Sequence, residues 1–443
     1  MITVKLYAVT LAALLSLLSS LSGCSHERSF SKVSSLAVLQ GLTTPTTAQF
    51  SLVSPHRPEG LNLTAEGGKS SISLTHISGR YLENFSMGVS LWKATGLQLG
   101  TKYTLVIRNA QSRVLDRRFF WALDTSSTSP TIAVASCMSD RYDDDIQEKN
   151  WKSVIQNRPD MIFLIGDNVY ADKHIGLKGS ARPKDLWKRY LDVRTTLYLF
   201  KSKRLIPTLA VWDDHDYGVN NGGKHYKYKK EAKEVFEAFY PQRPISGAPH
   251  FRRGPGVSSV FRAFNMQWIF LDNRTFRDKK GGERHWGLQQ ERWLMEQLNS
   301  KQKFHGNAII QGDQFFGGYH TYESFEGYHQ KNFTQMMKKI FKSKFPSFFL
   351  SGDRHLFELM EIPKEEFGYK TYEVTTSGIH AKVYPGDWEW DKRPNPRQIK
   401  GIGEVNNYAL LRFHAIGSGP LSFTVQSHNQ GSILYEKKLK IMR

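Results

Sequence analysis

Six apolar runs, each closed by a polar residue, constrain this chain more than any other feature. They read "TIAVASC", "DMIFLIGD", "IPTLAVWDD", "WIFLDNR", "NAIIQGD" and "FPSFFLSGD" and end at Cys137, Asp167, Asp213, Asp272, Asp313 and Asp353. Runs that are apolar throughout, rather than alternating, are strands buried on both faces of a sheet. Helix-like segments at 183–200 and 287–299 separate several of them. This order predicts a layered α/β (α+β) domain with its ligand at the carboxyl ends of the strands. Six polar strand ends then predict one shared site.

Before these runs, residues 30–125 are short, alternating and turn-rich, with "SSISLTHIS", "FSMGVSLWKATG", "TKYTLVIRNA" and "RRFFWALD" reading as strands. They predict a β-sandwich of about 100 residues. Its "TGLQLGTKYTLVI" resembles the tyrosine-bearing hairpin of fibronectin-like sandwiches. The Ser/Thr/Pro stretch 124–130 cannot pack a core and marks a boundary. The tail after residue 408 returns to strands that complete the second domain.

The N-terminal "MITVKLYAVTLAALLSLLSSLSGC" has an early lysine, a leucine-rich core and small residues, the layout of a secretory signal. Leu21-Ser22-Gly23-Cys24 resembles a bacterial lipobox, which implies that Cys24 is lipidated and begins the mature chain. An uncleaved membrane anchor is the alternative reading. The expected organisation is therefore a signal peptide over 1–23, a sandwich over 24–129 and a catalytic domain over 130–443. The expected place is the cell envelope, exported and lipid-anchored, periplasmic or at the outer membrane. Cys137 is the only other cysteine, so a lipidated Cys24 excludes an internal disulfide.

Lys and Arg outnumber Asp and Glu by 61 to 41, a formal net charge of +20. Such a field attracts anions: phosphate esters, lipid surfaces, nucleic acid or wall polymers. The basic residues are spread along the chain, so no specific nucleic-acid partner is expected. The membrane is contacted through the lipid, and the protein is expected to be a monomer. The segment "KHYKYKKEAKEV" (224–235) reads as a solvated helix face.

The candidate chemistry sits at the strand ends. "FLIGDNVYAD" places Asp167 after a glycine and Tyr170 three residues on; a Gly-Asp turn is the plain alternative. "FLSGDRHLFE" offers Asp353 and His355 as alternating donors; a helix cap is the alternative for Asp353. In "LAVWDDHDYGVNNGG" three carboxylates surround His215. One could be a cap, but three need a cation among them. A buried Cys137 would ordinarily be a small hydrophobe; facing carboxylates, it becomes a credible thiolate ligand. Cys137, Asp167, Tyr170, Asp214, Asp353 and His355 together mix hard oxygen donors with one thiolate and one imidazole. Structural zinc prefers tight Cys-x-x-Cys spacings, which are absent. The mixture suits a trivalent iron beside a harder divalent ion. Two such cations can bind both oxygens of a phosphoryl transfer and ionise the attacking water.

"ASC" (135–137), "GDNVY" (166–170), "WDDHDYGVNN" (212–221), "LDNRTFRD" (271–278), "LQQERWLMEQL" (288–298) and "SGDRH" (351–355) occur in one order. Together they resemble the PhoD-like alkaline phosphatases of the metallophosphoesterase superfamily. The resemblance implies a fibronectin-like β-sandwich followed by a four-layered α/β/β/α metallophosphoesterase domain. It implies a dinuclear or multinuclear centre, Fe3+ with Ca2+ or another divalent ion, with Asp167 bridging. Cys137, Tyr170 and His355 would surround iron; Asp353, Asp214 and, less directly, Asn220 (or its neighbour Asn221) would serve the second ion. His215 would protonate the leaving group, and Arg274 would meet substrate phosphate or form a structural salt bridge. The implied activity is hydrolysis of phosphate mono- or diesters through a metal-bound hydroxide, with an alkaline optimum. The alternatives are a phospholipase or phosphodiesterase acting on membrane lipid or wall polymer, and a non-catalytic surface lipoprotein. Two departures stand out. The superfamily's opening Asp-x-His is replaced by "ASC", and the cluster ends in "HDYGVNN" rather than the family's "HE" form.

Overall fold

All six apolar runs form strands. The computed structural model of the chain describes residues 36–68, 70–141, 143–173, 179–245, 249–319, 323–384 and 394–443. The expected signal segment and Cys24 lie outside the described residues.

The first seven strands are β1 (Ala37–Thr43), β2 (Thr47–Ser54), β3 (Leu61–Gly67), β4 (Ser70–Leu82), β5 (Met87–Thr95), β6 (Lys102–Asn109) and β7 (Val114–Trp121). They pair in the order β1-β2-β5-β4-β3-β6-β7. The long β4 begins on β3 and continues on β5, with a register shift between His76 and Ser78, so it belongs to both halves of the sheet. The halves close over one apolar core that includes Phe50, Trp92, Tyr103, Leu105 and Phe120. This is the expected sandwich. It is fixed to the second domain through backbone groups: Leu42 N donates to Pro241 O at 2.8 Å, and Arg118 donates to the carbonyls of Phe200 and Ser202.

The remaining strands are β8 (Thr131–Ala135), β9 (Met161–Ile165), β10 (Thr208–Val211), β11 (Phe251–Arg253), β12 (Ser259–Ala263), β13 (Met266–Phe270), β14 (Gly306–Ile310), β15 (Ser347–Ser351), β16 (Phe357–Ile362), β17 (Thr371–Thr376), β18 (Gln398–Ile402), β19 (Tyr408–Phe413), β20 (Leu421–Asn429) and β21 (Ser432–Ile441). They make a six-stranded sheet, β10-β9-β8-β19-β20-β21, and an eight-stranded sheet, β11-β12-β13-β14-β15-β17-β16-β18. The six diagnostic strands fall three to a sheet and run parallel to their diagnostic neighbours: β8, β9 and β10 in one, β13, β14 and β15 in the other. Parallel pairing requires crossovers, supplied by helices 144–156, 183–196, 287–298 and 330–341. The helix expected over 183–200 breaks at Leu197, whose extended backbone (φ −74°, ψ 140°) separates helix 183–196 from the single turn 198–201. The basic segment becomes helix 229–239, which buries Ala232, Val235, Phe236 and Phe239 and leaves its lysines outward.

The two sheets face each other across an aromatic seam. Phe163 of β9 meets Trp268 and Phe270 of β13 edge-on, with centroids 5.1 Å apart in both pairs. Phe348 of β15 lies 4.8 Å from Phe423 of β20, and Trp268 lies 5.5 Å from Phe413 of β19. Burying such rings drives the sheets together without directional bonds, so strand ends from both sheets reach one rim. Truncation of Phe163 to Ala is expected to cost about 3–5 kcal/mol, read as a lowered midpoint of denaturant unfolding with native-like far-UV dichroism retained at low denaturant.

Candidate metal centre

Cys137, Asp167, Asp353 and His355 all have positive φ, at 57°, 52°, 65° and 53°. Aspartate and histidine tolerate this left-handed region; Cys rarely enters it. Each bend falls within four residues of the end of a strand and turns the side chain inward. Such backbone persists only where its surroundings hold it. Here Cys137 N donates to Gly166 O at 3.1 Å, Met138 N to Asp167 O at 2.8 Å, and His355 N to Ser377 Oγ at 2.8 Å. Glycine is required at position 312, because an added Cβ would lie 2.3 Å from Asp213 Cγ.

The bends gather three overlapping sets of donor atoms, within 4.8 Å of one another in each set: Cys137, Asp167 and His355; Asp167, Asp214 and His215; Asp167, Asp213, Asp214 and Asp353. Asp167 is common to all three. Tyr170 joins the first set, its hydroxyl 2.9 Å from His355 Nε2. Asp167, Asp213 and Asp214 are buried, and Asp353 and His355 are partly so.

Burial and mutual repulsion leave these groups short of positive charge. Burial, then the Asp214 carboxylate, pushes Asp167 well above the ordinary carboxylate range. The same two causes raise Asp353 to about 7. Burial pushes the Cys137 thiol up to about 12 and the Tyr170 phenol well above its usual value. Burial also lowers His355 to about 4, so it is a neutral imidazole with a lone pair to give. Asp213 Oδ2 and Asp214 Oδ1 are buried and reached by no hydrogen-bond donor among the described residues. Converging acids, a thiol, a phenol and a neutral imidazole with orphaned oxygens fit a multivalent cation, which binds each donor deprotonated.

His215 differs from the other donors in how its ring is held. Its backbone N–H donates to Asp167 Oδ1 at 3.2 Å, and its ring lies against Tyr170 with centroids 4.3 Å apart. Its Nδ1 donates to Asp172 Oδ1 at 2.7 Å. Burial opposes charge on the ring, but Asp214 and Asp172 outweigh it and raise the pKa above the usual imidazole value. An oriented imidazole with a raised pKa at the edge of an anion site is suited to giving a proton.

Not every strand end joins. Asp272 accepts from Trp212 Nε1 at 2.8 Å and from Val257 N at 3.0 Å, and Asp313 accepts from Asn273 at 2.8 Å. Both carboxylates brace the site from behind, so the expectation of six ends in one site is corrected to four. Arg274 is corrected as well. It is fully buried, pairs with Asp213, and donates to Glu323 at 2.5 Å. Glu323 also accepts from Arg277 at 2.6 Å, and Arg277 pairs with Asp313. Arg274 is thus the structural salt bridge of the two readings and presents no face to a substrate. Asn220 is exposed and accepts from Lys173 at 3.0 Å, and Asn221 contributes its backbone N–H to Asp214 Oδ2 at 2.7 Å. The Asn220 amide oxygen is thus taken up by Lys173. Asp216 accepts from Asp213 N at 3.0 Å and orients the turn.

Sequence reasoning missed Asp172, Glu323 and Ser377. Asp172 closes "GDNVYAD", five residues after Asp167, and a carboxylate that close to a site aspartate was the available signal. Glu323 and Ser377 fall in no motif.

A family model described as PhoD-like phosphatase matches residues 132–426. Among solved structures, one titled "Structure of PhoD" superposes with a TM-score of 0.66 at 16% identity, over 91% of this chain and 88% of that one. A purple acid phosphatase from yellow lupin (Lupinus luteus) seeds superposes with a TM-score of 0.62 at 13% identity, over 91% of this chain and 74% of that one. These likenesses show a shared fold. No curated relative matches by sequence.

The placement of Asn220 yields a direct expectation. Asn220→Ala leaves the metal content at the wild-type level in elemental analysis; loss of an ion would put Asn220 in the centre.

Proposed function

The chain belongs to the PhoD-like phosphatase family and is a phosphoester hydrolase, and from that premise we propose that it works through a metal centre built on Asp167. The observation that carries the proposal is the convergence of the Cys137, Asp167 and His355 donors with the Asp167, Asp213, Asp214 and Asp353 carboxylates. Cys137, Tyr170 and His355 would hold a ferric ion with Asp167, because phenolate, thiolate and imidazole favour it over a hard alkaline-earth ion. Asp214 and Asp353 would hold calcium or another divalent ion, again with Asp167. Bound there, such ions supply Lewis acidity toward phosphate oxygens and acidify water at neutral pH.

The protein's own groups divide the remaining work. Asp172 fixes the tautomer and orientation of His215 through Nδ1, which leaves Nε2 as the nitrogen that gives a proton to the departing oxygen. Tyr170, packed on the His215 ring, keeps it from rotating away. Phosphate mono- and diesters are the substrate class, and the net charge of +20 raises the local concentration of such anions.

Export and lipid anchoring to the cell envelope complete the proposal, supported by the signal-like layout of residues 1–24. Tethering beside a membrane favours a second substrate reading within the same chemistry, the phosphodiesters of lipid or wall polymer.

Two experiments test these points. Asp167→Asn is expected to remove metal and phosphate release together. His215→Ala is expected to keep the metal and slow turnover by about a hundredfold or more. Full activity in the His215 variant, or full metal in the Asp167 variant, contradicts the assignment. Labelled fatty acid should enter the wild-type protein in a bacterial host and not Cys24→Ala; equal labelling rules out Cys24 as the anchor.

A further inference from the structure

Ser377 follows β17 directly and belongs to none of the sequence motifs. Its hydroxyl oxygen lies 3.1 Å from Cys137 Sγ and accepts the backbone N–H of His355 at 2.8 Å. Cys137 comes from the end of β8 in the six-stranded sheet, whereas His355 follows β15 in the eight-stranded sheet. One buried hydroxyl therefore touches two proposed ligands of the same ion, delivered by different sheets. Both carry left-handed backbone, so both need an external hold.

The Ser377 backbone is itself pinned. Asn407 Nδ2 donates to Ser377 O at 2.7 Å, Ser377 N donates to Leu356 O at 3.1 Å, and Asn407 Oδ1 accepts from Thr376 Oγ1 at 2.8 Å. Asn407 immediately precedes β19, so these bonds tie the ends of the two sheets together. Ser377 is fully buried, and its hydroxyl cannot rotate toward solvent.

The proton count decides what the hydroxyl does. An alcohol has one proton to donate. Its oxygen already serves as acceptor for His355 N–H, so the proton is available to the sulfur once that sulfur is a thiolate. Ser136 Oγ also lies 3.5 Å from Cys137 Sγ, but its proton goes to Thr376 O at 3.0 Å. With Tyr170 read as a ligand, Ser377 is thus a side chain placed to donate to the thiolate.

We propose that Ser377 is a positioning residue of the metal centre, donating to the Cys137 thiolate while holding the His355 backbone. This rests on the metal-centre reading above. A hydrogen bond to a metal-bound thiolate withdraws electron density from sulfur and makes it a poorer donor, which moves sulfur-to-metal charge transfer to higher energy and raises the reduction potential.

The test uses the full chain loaded with ferric iron, followed by visible absorption and redox titration. Ser377→Ala is expected to retain iron, shift the thiolate-to-iron band to longer wavelength and lower the reduction potential. Ser377→Thr, which keeps the hydroxyl, is expected to restore both toward wild type. Unchanged band and potential in Ser377→Ala, or an equal shift in both variants, overturns the role of the hydroxyl. If wild type binds iron with no such band, Cys137 is no ligand and the metal-centre reading fails first; a normal wild-type band with unresponsive variants defeats only the inference about Ser377.

Discussion

Four carboxylates, Asp167, Asp213, Asp214 and Asp353, place oxygens within 4.8 Å of one another where little water can screen them. In a protein interior this repulsion is worth several kcal/mol per pair if left unopposed. Arg274 pairs with Asp213 and is held there by Glu323, which pairs with Arg277, itself paired with Asp313. The chain of alternating charge buttresses one side of the site and leaves the inner oxygens of Asp167, Asp214 and Asp353 facing a common space. Strained backbone, buried aromatic seam and braced salt bridges all serve to keep that arrangement from relaxing. A fold that maintained it without a cation would hold protons there instead, as the raised carboxylates, thiol and phenol indicate.

The centre is asymmetric in its donors, and that asymmetry follows from topology. Thiol, phenol and imidazole lie on one side, carboxylates on the other, and Asp167 stands in the overlap. The six-stranded sheet supplies Cys137, Asp167, Tyr170 and the 213–216 turn, and the eight-stranded sheet supplies Asp353 and His355. The Cys137–Asp167–His355 set and the four-carboxylate set each need both sheets. The Phe163–Trp268–Phe413 seam that joins them is therefore part of the site's construction, although it lies behind the chemistry.

Much of this could be read from residue order. Uninterrupted apolar runs located the parallel strands, and glycine-aspartate pairs at their ends located Asp167 and Asp353. The dense "WDDHDY" cluster identified a place where charge had to be answered. What could not be read were partners fixed by distant chain segments. Arg274 looked available because its motif ends a strand, but Glu323, 49 residues later, folds over and buries it. Asn220 was a ligand only by what the family resemblance implied; the αL cap at Gly218 (φ 107°) ends the short turn and sends Asn220 outward to Lys173. Ser377 reaches Cys137 across 240 residues, a proximity that no local pattern encodes.

The most direct test of the central claim is anomalous diffraction from crystals of the active protein, recorded on both sides of the metal absorption edges. The account predicts a transition-metal peak among Cys137, Asp167, Tyr170 and His355, with a second ion sharing Asp167 beside Asp214 and Asp353. Active crystals with no peak at Asp167, or with the metal bound elsewhere, would contradict it.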